Sequence, residues 1–251
     1  MPKVQINRGI VFFADVLGYQ DLISNNRIEE AATVINDLLL GIPQQVTDEF
    51  LTRFPANADP PLHPIVRQAE WRVVSDSILF TLAFPEKGET WPHWISGLAL
   101  ITAFTGSMMK HGLPIRGAVA FGTYFVTKMS FAGIPFVQAY KTSQDLDWAG
   151  VTLLQETQTQ LQSDAPKLFD QGFFTRPFHA PFKHAPHGTV HCINWPAFLN
   201  RSTNPRPFLF KAFLSHGKSW SPELASKLTN TEAFMTHSQI VTPTIDQITH
   251  D

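Results

Sequence analysis

Gly9-Ile10-Val11-Phe12-Phe13-Ala14-Asp15-Val16-Leu17-Gly18-Tyr19-Gln20 decides how the rest of the chain is read. Residues 10–14 are apolar and β-prone, which predicts a buried strand. Asp15 ends that run, and Gly18 permits a sharp turn just beyond it. A carboxylate closing a buried strand is costly unless it is paired or binds a cation. The turn leads into a short helical stretch at 19–24, and backbone N–H groups at such a helix start can receive phosphate oxygens.

Working outward, a second stretch has the same build. Trp71-Arg72-Val73-Val74-Ser75-Asp76-Ser77-Ile78-Leu79-Phe80 reads as strand, turn and strand, with Asp76 at the tip. Two aspartates that end neighbouring buried strands can share hard cations with a triphosphate. Between the two stretches, Ile35, Leu38, Leu39, Ile42, Val46 and Phe50 recur at the spacing of one helical face. Gly41 and Pro43 interrupt that face, which predicts a kink or two shorter helices. Residues 55–64 are proline-rich and predict a loop.

After the hairpin, residues 94–110 predict a helix with Trp94, Leu98, Ile101, Phe104 and Met108 on one face. A strand carrying Arg116 and Gly122 follows at 115–126, then a loop at 128–135 and a helix at 136–149. One more strand near the end of this region would make a ferredoxin-like βαββαβ sheet backed by helices on one face, an α/β fold of the α+β kind. Further on, we expect a helix over 152–161, irregular loop over 172–188, strands over 190–195 and 208–213, a helix over 224–237 and a tail. No clean linker is visible. The expected organisation is a core at 1–155 and a C-terminal extension at 156–251 packed on it.

Composition narrows the function classes. Apolar residues make up 43% of 251, with 21 Phe and 6 Trp, enough for a sizeable core. Charged residues are only 16%, which points weakly to an oligomer interface. A net charge of −2 leaves no broad basic field for nucleic acid. Cys192 stands alone, so no disulfide framework exists within the chain, in keeping with a reducing compartment. No signal-peptide pattern or membrane-length apolar run is present, so the expectation is a cytoplasmic protein that engages neither membrane nor nucleic acid.

The collected residues resemble the class III nucleotidyl cyclases. That family places its first metal Asp in Phe-x-Asp-hydrophobic-x-Gly-Phe/Tyr, matched by Phe13-Ala14-Asp15-Val16-Leu17-Gly18-Tyr19. Its second metal Asp lies in a hairpin, matched by Ser75-Asp76-Ser77, and Arg72 stands where the family often has a base-reading Lys. A strand with Arg and Gly contacts the triphosphate in the family; here it reads Ile115-Arg116-Gly117-Ala118-Val119-Ala120-Phe121-Gly122. The family's closing motif, Asp-x-x-Gly-x-x-x-Asn-x-Ala-x-Arg, falls on residues 130–141. Gly133 and Ala139 match it, but Ser130 replaces the base-selecting Asp, Val137 the ribose-orienting Asn and Lys141 the transition-state Arg. The resemblance covers residues 9–151. The three departures shift it towards the bacterial Pycsar pyrimidine cyclases, which signal in defence against phage.

The resemblance implies a fold, a reaction and an assembly. Asp15, Asp76 and the Val16 carbonyl would hold two Mg²⁺ or Mn²⁺ ions. Leu17, Gly18, Tyr19, Arg72, Arg116 and Ser130 would bind substrate, and Lys141 would stabilise charge on the α-phosphate. The reaction would turn UTP into cyclic UMP and pyrophosphate, at composite sites of a homodimer, with a cyclic-nucleotide-sensing effector acting downstream. CTP to cyclic CMP, a purine cyclase, and a non-catalytic nucleotide-binding dimerisation module are the alternatives. Each residue also has a plainer reading: Asp15 as a helix cap, Asp76 as a turn residue, Arg116 in a structural ion pair, and Arg72 and Lys141 as solvated surface. His179, His184, His187 and His191 lack a zinc-site spacing and read as solvated or structural.

Overall fold

The computed structural model describes residues 6–54, 61–127, 130–184, 188–199 and 203–241. Most of the expected loop at 55–64, the start of the 128–135 loop, His187 and the tail after 241 lie outside the described residues.

Strand β1 (Ile6–Val16) is the centre of the molecule. A two-residue turn joins β2 (Glu70–Val74) to β3 (Ser77–Ala83), and β3 pairs antiparallel with one edge of β1. The other edge of β1 pairs antiparallel with β4 (Ile115–Val126). The sheet order β2-β3-β1-β4 is therefore already the ferredoxin-like sheet, complete before the extra strand that the sequence led us to expect. Strand β5 (Phe131–Ala132) folds back on β4, and β6 (Val151–Leu153) runs parallel to it on the outer side. The C-terminal region continues the same sheet through β8 (Val190–Ile193) to β7 (Thr175–Phe178).

Between β1 and β2 lie α1 (Tyr19–Ser24), α2 (Ile28–Val34), α3 (Gly41–Arg53) and α4 (Leu62–Val66). The expected break in the long helical face is a π-turn at Ile35–Leu39, where the Leu40 N–H donates to the Ile35 carbonyl at 2.9 Å. Pro43 has no N–H to offer the Leu39 carbonyl, so the ladder shifts just upstream.

Between β3 and β4 lies α5 (Trp91–Lys110), with Pro92 in its first turn. Its predicted stripe, Trp94, Leu98, Ile101, Phe104 and Met108, is wholly buried. Gly97 permits the close approach: a Cβ there would lie 2.6 Å from Ile10 Cδ1.

Alternation along β1 divides the core. Ile10, Phe12, Ala14 and Val16 face α3 and α5, whereas Val11 and Phe13 face the opposite side. That second side is covered by α6 (Ile134–Asp145), through Phe136 and Ala139. The helices of the βαββαβ unit share one face as expected; α6 is an addition on the other, because β1 is apolar in both directions.

Other expectations are corrected beyond β4. Residues 152–161 are the end of β6 followed by α7 (Gln155–Asp164), not one helix. The 172–188 loop contains β7, and the short α8 (Pro166–Gln171) precedes it. Residues 208–213 lie in α9 (Pro205–Leu214), not a strand: Leu209, Ala212 and Phe213 are buried at helical spacing, and Pro205 follows Asn204 at the start. The terminal helix is α10 (Pro222–Val241). Among the described residues, no helix is long and apolar enough to cross a membrane.

Candidate active site

Register, not sequence proximity, assembles the site. Asp15 pairs with Ser77 on β3 and with Arg116 on β4. Because side chains alternate, Val11, Phe13 and Asp15 share a face with Leu79, Arg72, Arg116 and α6. The Val16 N–H donates to the Asp76 carbonyl at 3.0 Å, which fastens the hairpin tip to the end of β1. Ser75 holds that tip with φ 57°, a left-handed conformation costing about 1 kcal/mol for a residue with a side chain.

Asp15 is 7% exposed. Its carboxylate accepts from Arg116 Nε at 3.1 and 3.0 Å and from Gln144 Nε2 at 3.3 Å. The Arg116 guanidinium also donates to Gln144 Oε1 at 2.9 Å, so Gln144 bridges the pair. Burial pushes the Asp15 carboxyl above the usual carboxylate range. Arg116 opposes that shift, Asp76 adds to it, and Lys183 lowers it slightly. Burial prevails, so the site favours added positive charge.

Two carboxylates beside a backbone carbonyl make an all-oxygen donor set, which suits a hard divalent cation such as Mg²⁺ or Mn²⁺. Asp15, Asp76 and the Val16 carbonyl would suit such an ion. No cluster of three or more His, Cys, Asp or Glu that could hold a metal exists among the described residues. Of the four histidines singled out in the sequence, three lie among the described residues and are otherwise engaged: His184 pairs with Asp145, His191 stacks on Phe169 with centroids 4.1 Å apart, and His179 meets Thr189 Oγ1 at 3.2 Å.

A second group forms where the β4–β5 hairpin reaches the edge strand. Arg72 donates to the Thr127 carbonyl and to Glu70 Oε2, the latter at 2.6 Å. Thr127 in turn holds Ser130: its N–H donates to the Ser130 carbonyl at 2.7 Å, and the Ser130 N–H donates to Thr127 Oγ1 at 3.0 Å. Arg72 and Ser130 are thus neighbours, although far apart in sequence. The strand β2 that carries Arg72 is two strands from β1, about 10 Å across the sheet.

Three expectations fare differently. The Leu17 N–H donates to the Pro114 carbonyl at 2.8 Å, so that amide is already engaged within the chain. Gly18, with φ 76°, stands just before the first residue of α1. Lys141 is exposed on α6, one helical turn before Gln144. Two further residues escape sequence reading. Gln144 sits three positions after Lys141, and only the helical period could have marked it. Lys183 donates to the Gln144 carbonyl at 2.7 Å from a Pro- and His-rich stretch with no usable pattern. Burial and the nearby Arg116 lower its pKa.

No protein-family model matches the chain, and no curated protein matches it in sequence. Solved structures do match its fold. The adenylyl cyclase CyaB from P. aeruginosa is 13% identical with a TM-score of 0.51, over 76% of this chain and 95% of that one. The catalytic core of a rhodopsin-guanylyl cyclase with converted specificity, in complex with ATPαS, is 13% identical with a TM-score of 0.52, over 76% and 97%. The fold is that of class III cyclase catalytic domains.

Proposed function

We propose that the chain is a metal-dependent nucleotide cyclase, and that it converts UTP to cyclic UMP and pyrophosphate. The observation that carries this reading is the joining of Asp15 and Asp76 at adjacent strand ends, with Arg116 directly opposite Asp15, on a cyclase fold. Two divalent ions held by Asp15, Asp76 and the Val16 carbonyl would supply the charge that acidifies the ribose 3′-hydroxyl and neutralises the triphosphate. Arg116 would turn the N–H groups not taken by Asp15 and Gln144 towards phosphate oxygens. The turn at Gly18 and Tyr19 brings backbone N–H groups to the same edge. Gln144 fixes the Asp15–Arg116 geometry, so less reorganisation accompanies the in-line attack.

The pair Glu70–Arg72 sets an acceptor beside a donor, which complements the N3–H and O4 of uracil. Ser130, held by Thr127, lines the same corner. Ile134, Val137 and Tyr140 leave an apolar strip exposed on α6. This strip supports a homodimer in which Lys141 of one chain serves the metal pair of the other. Signalling to a cyclic-nucleotide effector in bacterial anti-phage defence is the biological role that goes with this reading. The test is incubation of the purified protein with each of the four NTPs and Mn²⁺, with products identified by mass. Cyclic UMP as the main product supports the proposal; pyrophosphate release from none of the four overturns it.

A further inference from the structure

Residues 215–219 of the C-terminal region pass beneath the turn that follows Asp15. Gly18 meets Lys218 so closely that a Cβ on Gly18 would lie 2.5 Å from Lys218 Cδ. On the opposite side, a Cβ on Gly112 would lie 2.4 Å from Ser215 Cβ. Both glycines have left-handed backbone, so both the space and the conformation require glycine.

The segment is held at several points. Lys218 is 7% exposed, and its ammonium donates to the carbonyls of Gly112, just past α5, and Ala212, in the last turn of α9. Carbonyls at two helix C-termini favour a cation there. His216 Nε2 meets the His111 carbonyl at 2.7 Å. Asn25 Nδ2 donates to the Gly217 carbonyl at 2.8 Å, and Asn26 Nδ2 to the His216 carbonyl at 2.9 Å. The Ser219 N–H donates to Asp21 Oδ2 at 2.9 Å. Three of these anchors, Asp21, Asn25 and Asn26, belong to α1 or the residues just after it. His216 and Gly217 are both left-handed, so the segment keeps its shape because its neighbours hold it.

We propose that this segment is a strap that sets the conformation of the 17–19 turn, with Lys218 as a positioning residue for triphosphate binding. The inference rests on the cyclase reading for its ligand but not for its mechanics. Lys218 reaches no substrate itself; its stem supports Gly18 from behind, so that the Gly18 and Tyr19 amides keep their direction.

The test compares full-length wild type with Lys218→Met, which keeps the stem but loses the ammonium anchors, and with Asn25→Ala, which releases the strap at an exposed contact. Two readouts are taken: hydrogen exchange of residues 16–24, and the steady-state constants for the nucleotide with Mn²⁺. The expected result is faster exchange at 16–24 in both variants, with no change in the middle of α5. With it comes a KM raised about tenfold and a kcat within about twofold, the pattern of lost binding. Unchanged exchange at 16–24, or lower thermal stability with KM unchanged, overturns the strap. If Lys218→Met does not fold, Asn25→Ala decides by the same criteria. Should the wild type make no cyclic nucleotide, the cyclase reading fails, while the exchange data still decide whether the strap holds the turn.

Discussion

Arg116 stands directly across from Asp15 on adjacent antiparallel strands, and its Nε is 3.0 Å from the carboxylate. Both side chains are nearly buried, so each is the other's main compensation for leaving water.

Replacing Arg116 by Lys keeps the charge but loses the fork that reaches both Asp15 and Gln144. Cyclic nucleotide formation should fall about a hundredfold, the usual effect of removing one preorganised donor. Turnover within a factor of two of wild type would show that Arg116 serves the fold and not the reaction.

Metal binding should be visible without turnover. Mn²⁺ with a non-cyclising UTP analogue, at about 100 times its Kd, should stabilise the protein by about 2.7 kcal/mol. At this chain length the melting temperature should rise by about 5–10 °C. Asp15→Ala and Asp76→Ala should each lose that rise and make no product. A full rise in either variant would remove that aspartate from the metal site.

Base choice should depend on Arg72. A lost base-edge contact costs about 1–3 kcal/mol, so Arg72→Ala should flatten the ranking of the four NTPs by kcat/KM. An unaltered ranking would leave Arg72 as a strand residue paired with Glu70 and nothing more.

Lys218 gives a pH dependence. Burial lowers its ammonium to about 7, against the pull of Asp21. The folded state therefore holds this proton less tightly than the unfolded chain, whose lysines titrate near 10.4. Stability should rise as pH increases from about 7 towards 10, where the unfolded state binds more protons. The difference in melting temperature between wild type and Lys218→Met, measured across that range, should show this slope. A flat difference would mean that the two helix-end carbonyls fully offset the burial.

What the chain's letters reveal follows the strength of its periodicities. The run at 10–14 and the hairpin around Asp76 are legible because both are short, apolar and bounded by turn residues. The α5 stripe is legible because five large side chains repeat at helical spacing over a long segment. The pairing of Asp15 with Arg116 is not legible, since register is a property of two strands and neither states its partner. Strands β6 and β7, of three and four residues, are too short to show alternation. The stretch at 208–213 misleads because Phe-Leu-Phe suits a strand until Pro205 is recognised as a helix start. Gln144 and Lys183 carry no motif, and only folding brings them to Asp15. The engagement of the Leu17 amide is equally hidden, since nothing in the sequence announces that the Pro114 carbonyl takes it.

The outer edge of β6 is occupied by β8, a strand contributed from nearly forty positions downstream. A gene cut after residue 155 would therefore leave that edge bare, with Thr152 and its neighbours offering open backbone to any passing chain. Such a fragment should precipitate when expressed alone and recover solubility when residues 156–251 are supplied in trans.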